Sequence, residues 1–343
     1  MDRSRSLSLF QPSNLNGAIG AADYEGSHER PGNVFGAILG IPHPQMARVI
    51  AVLGFDFVFI DTQFTSVCTQ LSGDLHLTNG FCSPTNPETL VSLIQTINFA
   101  SEGKTVATAR ISSPDSDLLA YALDAGAAGI AFPQIDSPEQ AAHAVHKVRY
   151  TYGSGMRSIS PIALLDGITN MALGGWTSET IADRNVSVIC QIESTIGVEN
   201  MNAIARTLGV NVLMVGVRDL KATLGIPGRN PGGKVNESKF QEAISKMIEI
   251  SKETGVQLMI PAFKLKPDDM SWLKKFKMII TSVDVLSVVK SQRDDLVNMK
   301  KALGVDEVNC KPDGTNGRTN GKFNRTTNDM TNGTIDGTTN GYH

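Results

Sequence analysis

The amino-acid sequence predicts a (β/α)8 barrel. Eight short runs rich in β-branched residues recur along the chain, and most intervals between them carry a helical pattern, which is typical of parallel strands joined by crossover helices. A doubly wound sheet is the alternative, but the strands number eight and no Gly-x-Gly-x-x-Gly motif follows the first one. The predicted strands are residues 35–41, 55–61, 105–111, 128–135, 186–193, 210–217, 256–261 and 278–284.

Several of the intervening helices have recognisable ends in the sequence. The segment Ser-Pro-Glu-Gln at 137–140 combines an N-cap residue, a proline at the first helical position and a capping-box glutamine, so a helix is expected from there to about residue 149. The amphipathic runs 236–254 and 285–303 are each followed directly by a glycine, the residue most common just beyond the last helical turn. These signals support the alternation of strands and helices.

Three stretches fall outside the alternation. Residues 1–33 are mixed and polar, and we expect an N-terminal arm with a short helix near 12–19. Residues 305–343 are rich in Thr, Asn and Gly and are expected to form a disordered tail, because they cannot bury enough apolar surface to offset the entropy of ordering. The barrel domain is therefore 34–304, interrupted at 62–83 by an irregular segment longer than ordinary loops.

The composition excludes several classes of function. With 31 Lys and Arg against 34 Asp and Glu, the net charge of −3 gives no electrostatic footprint for nucleic acid or for an anionic membrane surface. The apolar runs are far shorter than the roughly 20 residues that a membrane helix needs. The four cysteines form no Cys-x-x-Cys pair, and the first twenty residues lack a secretory apolar core, which together fit a reducing compartment. We expect a cytoplasmic protein that acts on small molecules.

Polar residues at the ends of apolar strands are the candidate reacting groups, because barrel enzymes carry their sites at the carboxyl ends of the strands. Arg110 has no packing reason to end an apolar strand; it could hold a carboxylate, stabilise an enolate, or form a buried structural ion pair. Gln191 precedes Glu193 by two residues, so both are expected on one face of the strand. The candidates are Asp61, Arg110, Gln191, Glu193, Asp219 and Asp284.

Glu193 and Asp219 are candidate metal ligands. They follow neighbouring strands of the predicted barrel, and Mg²⁺ typically takes one or two carboxylates while water and substrate oxygens fill its other positions. The alternative is that each carboxylate caps the helix that follows its strand. Spacing alone leaves both interpretations open.

Four segments of the chain resemble the HpcH/HpaI aldolase family, the metal-dependent class II pyruvate aldolases. They are FDFVFIDTQ (55–63), ALDAGAAGIAFPQID (122–136), QIESTIGVENMNAI (191–204) and VGVRDLKATLG (215–225). The resemblance covers roughly residues 10–303 and is greatest to a fungal member that decarboxylates oxaloacetate and adds the pyruvate enolate to a 2-pyrone. The pairing of Gln-x-Glu-Ser with Gly-x-x-Asp-Leu is its most specific part.

The resemblance implies a barrel of the phosphoenolpyruvate/pyruvate-domain type and a divalent cation, Mg²⁺ or another such as Mn²⁺ or Co²⁺, held by Glu193 and Asp219. A 2-oxo acid would chelate this cation and form an enolate. The family also implies a homo-oligomer, a hexamer built as a trimer of dimers that exchange the last helix, acting on a small 2-oxo acid and an unidentified acceptor. The implied catalytic positions are Arg110, Asp124 and Asp61, and the implied substrate-binding positions are Gln191, Gly216, Arg218 and Tyr152.

The sequence departs from the family after the second strand. The family pattern Asp-x-Glu-His reads Asp61-Thr-Gln-Phe here, so Phe64 stands in place of the acid/base histidine and Gln63 in place of the glutamate. Asp124, which the family pairs with that histidine, is retained without its partner. Because phenylalanine cannot move protons, aldol cleavage is expected to suffer, whereas loss of CO₂ generates an enolate without a base.

The irregular segment 62–83 begins at the same point and has two interpretations. It either forms a lid that returns His76 to the site as a substitute base, or it is sequence that the spliced transcript lacks. We expect a Mg²⁺-dependent carbon–carbon lyase acting on a 2-oxo acid, and more narrowly an enzyme of fungal secondary metabolism. The alternative is a non-catalytic relative that keeps only ligand binding and oligomerisation. The joint presence of Arg110, Glu193 and Asp219 favours the enzyme.

Overall fold

The computed structural model describes residues 12–21, 32–63, 86–159, 176–227, 237–263 and 271–305. Eight parallel strands follow one another around a closed barrel in chain order, and the last strand pairs with the first. The predicted (β/α)8 barrel is therefore confirmed, and each of the eight predicted runs overlaps a strand. The strands are β1 (Val34–Leu39), β2 (Phe57–Asp61), β3 (Val106–Arg110), β4 (Gly129–Phe132), β5 (Ser187–Ile192), β6 (Val212–Val215), β7 (Gln257–Pro261) and β8 (Met278–Val283).

Helices occupy the intervals, as the sequence predicts. None of the helices in the described ranges is long and apolar enough to cross a membrane. In the described residues the helices are α1 (Leu15–Ala21), α2 (Pro44–Ala51), α3 (Pro87–Ala100), α4 (Leu118–Asp124), α5 (Pro138–Val148), α6 (Ser178–Asn185), α7 (Thr195–Ala205), α8 (Val217–Thr223), α9 (Ser238–Thr254) and α10 (Asp284–Ala302).

The predicted helix termini are found where their capping residues lie. The Ser137 hydroxyl accepts a hydrogen bond from the Gln140 backbone N–H at the start of α5. Helix α9 ends at Gly255, whose φ of 77° lies in the left-handed region, and Gly304 adopts a φ of 63° after α10. Glycine reaches this region without a steric penalty, so these helices end where the sequence requires.

Helix α1 closes the barrel at the ends where its strands begin. Leu15 and Ile19 are buried in the barrel interior together with Phe57 of β2 and Met278 of β8. Each such side chain contributes about 1.5–3 kcal/mol when fully buried. The predicted short helix is thus confirmed, but it belongs to the barrel core rather than to a separate polar arm.

Several sequence-based expectations lie outside the described residues. They include Phe64, His76 and nearly all of the irregular segment, as well as the Thr/Asn/Gly-rich tail beyond Val305. By its contacts the chain divides into a unit Met1–Gln292, which contains the barrel, and a unit Arg293–His343. In the second unit the structure describes the last turns of α10.

Candidate active site

The carboxyl ends of β2 and β3 place Asp61 and Arg110 side by side. The two residues are directly paired in the register of these strands. Arg110 Nε donates to Asp61 Oδ1 at 3.0 Å and Arg110 Nη2 donates to Asp61 Oδ2 at 2.5 Å, a two-pronged geometry that fixes the plane of the guanidinium. The side chains are only 11% and 8% exposed. The ion pair considered from the sequence is therefore present, with Asp61 as the partner of Arg110.

Gln191 connects this ion pair to Glu193. Its Oε1 accepts from Arg110 Nη1 at 3.5 Å, and its Nε2 donates to Glu193 Oε2 at 2.5 Å. Gln191, in β5, and Glu193, the residue just after β5, therefore share one face, as their two-residue spacing predicts. The result is a continuous series of contacts from Asp61 through Arg110 and Gln191 to Glu193, across the ends of three strands.

Glu193 is buried and hydrogen-bonded at both carboxylate oxygens. Its Oε1 accepts from the Gln134 backbone N–H at 2.9 Å, and its Oε2 accepts from Gln191. Burial raises the pKa of the Glu193 carboxyl above its usual value; the Gln191 hydrogen bond opposes this, and the negative charge of Asp219 raises the pKa further. A nearby cation favours the charged form of a carboxyl group, so a bound metal would reverse the direction of this shift.

Asp219 lies in the first turn of α8, directly after β6, and its side chain is exposed. Gly216, the residue before α8, brings this turn against Glu193. A Cβ atom at Gly216 would lie 2.4 Å from both Cβ and Oε2 of Glu193 and 3.0 Å from Nε2 of Gln191. Only glycine fits there, beside Glu193 and Gln191, and the substrate-binding role that the resemblance implies for Gly216 stays a prediction. Arg218 is exposed in the same turn.

The residues present fit a hard divalent cation. Glu193 and Asp219 offer carboxylate oxygens, the ligands that Mg²⁺ prefers, and within the described ranges neither carboxylate is in an ion pair. No group of three or more His, Cys, Asp or Glu that could hold a metal occurs in the described part of the chain. The remaining coordination positions would therefore fall to water and substrate oxygens, as is common for Mg²⁺.

Gln134 is a residue of this site that the sequence did not indicate. It follows β4, its φ is 53°, and its side chain is exposed. It contributes a backbone N–H rather than a side chain, and no composition or spacing signal marks such a contact.

Two residues that the resemblance assigned to the site, Asp124 and Tyr152, lie at the opposite end of the barrel. Asp124 ends α4 shortly before β4 begins, and its Oδ1 accepts from Arg157 Nη2 at 2.8 Å. Tyr152 belongs to a short 3-10 turn, Thr151–Gly153, that follows α5. A helix after one strand runs back toward the start of the next, so its last residues lie far from the strand ends that carry Arg110. Within one chain the structure does not bring Asp124 and Tyr152 to the site, and their roles stay predictions.

Asp284 also follows a strand, β8, but its carboxylate oxygens accept hydrogen bonds from backbone N–H groups. Asp284 is buried and accepts from the N–H groups of Gly40 and Ile41, each at 2.9 Å. It thereby joins the end of β8 to the end of β1. This carboxylate is a structural cap of the barrel rather than a reacting group.

Comparisons with protein families and with known proteins find several similarities to this chain. The family model for HpcH/HpaI aldolase/citrate lyase matches residues 85–275, more than half of the chain. A hydroxypyruvate/pyruvate aldolase from Paraburkholderia phytofirmans is 25% identical over 269 residues, which cover 78% of this chain and 93% of that protein. A 4-hydroxy-2-oxovalerate aldolase from Rhodococcus jostii is 27% identical over 205 residues, which cover 60% and 76%.

Among solved structures, the crystal structure of macrophomate synthase matches with a TM-score of 0.74 and 27% identity, covering 87% of this chain and 93% of that one. The matched family region includes Arg110, Gln191, Glu193 and Asp219. The resemblance found in the sequence is confirmed.

Proposed function

The chain belongs to the HpcH/HpaI aldolase/citrate lyase family, and on this premise we propose that it is a divalent-metal-dependent carbon–carbon lyase that acts on a 2-oxo acid through a pyruvate enolate. The observation that carries the proposal is the placement of Glu193 against the start of α8. Because residue 216 is a glycine, the start of α8, which carries Asp219, can lie directly against Glu193. The guanidinium of Arg110, held by Asp61, belongs to the same site.

Glu193 and Asp219 would hold the cation, Mg²⁺ or another such as Mn²⁺ or Co²⁺. When bound, such a cation supplies Lewis-acid polarisation of the keto group of a chelating 2-oxo acid. The protein's part is to orient the buried carboxylate of Glu193, while the first turn of α8 supplies the exposed carboxylate of Asp219. Hydrogen bonds to each oxygen of Glu193 orient it without neutralising its charge.

Arg110 would stabilise the charge that develops on the enolate oxygen. Asp61 occupies its Nε and Nη2 edge, so the Nη1 edge is the one turned toward Gln191 and the carboxylate ligands. A donor fixed in advance costs no reorganisation when charge appears, which is the basis of electrostatic stabilisation in enzymes. The Asp61 carboxylate thus acts on the reaction by holding Arg110 in place.

Oxaloacetate is the substrate that these groups suit best. When its C3–C4 bond breaks, CO₂ leaves and the electron pair stays on C3 as part of the enolate, which a proton then converts to pyruvate. No base is needed for the bond to break. Cleavage of a 4-hydroxy-2-oxo acid would also need a base for the hydroxyl proton, and Phe64 stands where the family carries its histidine. A role in fungal secondary metabolism with a second, acceptor substrate is the narrower form of this proposal.

We also propose that the enzyme is a cytoplasmic homo-oligomer, a hexamer assembled through its last helix. Leu286, Val288 and Val289 are exposed on α10, and burial of such side chains in a subunit interface would stabilise the assembly. Light scattering of the purified chain tests this: a hexamer is expected, and a stable monomer would contradict it.

Pyruvate release from oxaloacetate tests the proposed reaction. The full chain is treated with a chelator, then assayed with Mg²⁺, Mn²⁺ or Co²⁺, and the rate in enzyme-free solution with the same metal is subtracted because free cations also decarboxylate oxaloacetate. We expect activity to vanish with the chelator, return with metal, and be lost in Glu193→Gln. Glu199→Gln, on an exposed position of α7, is the matched control. Pyruvate release that does not depend on metal would overturn the proposal. Pyruvate release no faster than in the enzyme-free solution would also overturn it and would favour a non-catalytic relative.

A further inference from the structure

The backbone at Gln134 has an unusual conformation for its residue type. In the described part of the chain, three non-glycine residues have a positive φ: Glu102 at 53°, Gln134 at 53° and Ser154 at 63°. Non-glycine residues in this region are uncommon, and those found there are enriched in Asn and Asp. Glu102 comes just after the end of α3, and Ser154 ends a 3-10 turn, where left-handed residues are ordinary. Gln134 follows a strand and ends no helix.

The chain on both sides of Gln134 is anchored. Upstream, Phe132 is the last residue of β4. Downstream, the Ile135 N–H donates to the Gln191 carbonyl at 3.2 Å, and the Asp136 carbonyl accepts from Asn200 Nδ2 at 2.7 Å. A change of φ at Gln134 must therefore be absorbed by the peptide group just before it, and that group carries the N–H that contacts Glu193.

The contact of this N–H completes the hydrogen bonding of the Glu193 carboxylate. Gln134 N–H lies 2.9 Å from Oε1, while Gln191 donates to Oε2 from the other side. Two donors on two oxygens fix the plane of a carboxylate. The exposed Gln134 side chain takes no part in this, so the contribution belongs to the backbone.

We propose that Gln134 is a positioning residue for the metal ligand Glu193, and that its left-handed backbone conformation, not its side chain, sets the orientation of that carboxylate. The inference rests on the proposed function, in which Glu193 binds the cation. Groups that hydrogen-bond a metal ligand commonly change metal affinity by about 10- to 100-fold when they are lost. Strained backbone positions are concentrated at functional sites, and this one lies against the candidate ligand.

The test is a titration of the chelator-treated chain with Mn²⁺, followed by the electron paramagnetic resonance signal of free Mn²⁺. Gln134→Val places a β-branched residue where the left-handed region is strongly disfavoured, and we expect affinity to fall by about tenfold or more. Gln134→Gly accepts the same backbone conformation without a side chain, and we expect wild-type affinity. Glu102→Val, at the same φ on an exposed position, is the matched control and should leave Mn²⁺ binding unchanged.

The outcomes distinguish the positioning role of Gln134 from the metal site on which that role depends. Mn²⁺ binding by Gln134→Val that equals the wild type would overturn the positioning role. Equal loss in Gln134→Gly and Gln134→Val would assign the effect to the side chain and would also overturn it. If Gln134→Val does not fold, Gln134→Thr, which is also β-branched, replaces it. Wild-type affinity in that variant would overturn the positioning role, as would loss of affinity in Gln134→Gly. No Mn²⁺ binding by the wild-type chain would refute the metal site itself.

Discussion

Arg110 and Asp61 form a two-pronged ion pair across neighbouring strands, with Nε–Oδ1 and Nη2–Oδ2 distances of 3.0 and 2.5 Å. Asp61 also accepts the backbone N–H of Gln63 at 3.0 Å. Both charged groups are largely withdrawn from water, so each depends on the other for compensation. The pair orients the guanidinium at the mouth of the barrel, next to Gln191.

Removal of one member of this pair should destabilise the fold. Asp61→Ala leaves the Arg110 charge buried without its partner, and loss of one partner of a buried pair costs about 3–5 kcal/mol in the free energy of unfolding. Urea denaturation measures the effect. Lys104→Ala breaks an exposed pair with Glu102 and should change stability by less than about 1 kcal/mol. Equal effects of the two variants would contradict the account of the buried pair.

Arg110→Lys should reduce oxaloacetate decarboxylation while the protein stays folded. Lysine keeps the positive charge but lacks the planar fork that contacts Asp61 and Gln191 together. Loss of one fixed donor to a developing oxyanion costs about 10²–10³-fold in kcat. Steady-state assays of pyruvate release, with a urea melt as the folding check, measure this. An unchanged kcat would show that Arg110 does not stabilise the enolate.

Gly216→Ala should weaken metal binding. The new Cβ would come within 2.4 Å of Glu193 Oε2, so either the ligand or the start of α8 must move. We expect Mn²⁺ affinity to fall by about tenfold or more, as for other losses around a metal ligand. Gly20→Ala, in α1 with no atom within 4 Å of the added Cβ, is the control. Its metal affinity should match that of the wild type; equal losses in both variants would refute the explanation.

Cys190 should be unreactive in the native protein. Burial within β5 raises the pKa of its thiol to about 12, so at pH 8 almost none of it is the reactive thiolate. Mass spectrometry of the peptide that carries Cys190, after treatment with iodoacetamide, should show no label in buffer and full label in urea. Rapid labelling of the folded chain would show that β5 is not buried as described.

The fold could be predicted from the sequence because its signals are local. Runs of β-branched residues mark the strands, and capping residues such as Ser137 and Gly255 mark helix ends. Helix α1 shows the limit of such reasoning. Its polar surroundings indicated an arm, whereas Leu15 and Ile19 are buried in the barrel. From the sequence, two apolar side chains in a short helix do not indicate which end of the barrel they will close.

The sequence predicts those site residues whose side chains lie at the carboxyl ends of strands. Glu193 and Gln191 share a face because strand periodicity requires it. Gln134 could not be found this way, since a backbone N–H carries no residue-type signal and its φ is set by tertiary contacts on both sides. The resemblance to the family assigned Asp124 to the site because the residue type matches. Only the direction of α4 shows that Asp124, its last residue, lies away from Arg110.

The substrate preference of the chain should follow from Phe64, which stands where the family carries its acid/base histidine. Loss of a positioned general base commonly costs about 10²–10⁴-fold in rate, whereas the enolate stabilisation that we propose for Arg110 does not depend on that base. The chain should therefore release pyruvate from oxaloacetate much faster than from a 4-hydroxy-2-oxo acid, with each rate compared with and without Mg²⁺. Fast Mg²⁺-dependent aldol cleavage would show that another residue acts as the base.

An anomalous difference map from crystals of the full chain grown with Mn²⁺ and pyruvate would locate the proposed metal site directly. We expect a Mn²⁺ peak held jointly by Glu193 and Asp219, with the bound pyruvate on the side of Arg110. A Mn²⁺ peak elsewhere on the barrel, or none in crystals that contain both additives, would contradict the proposed metal site.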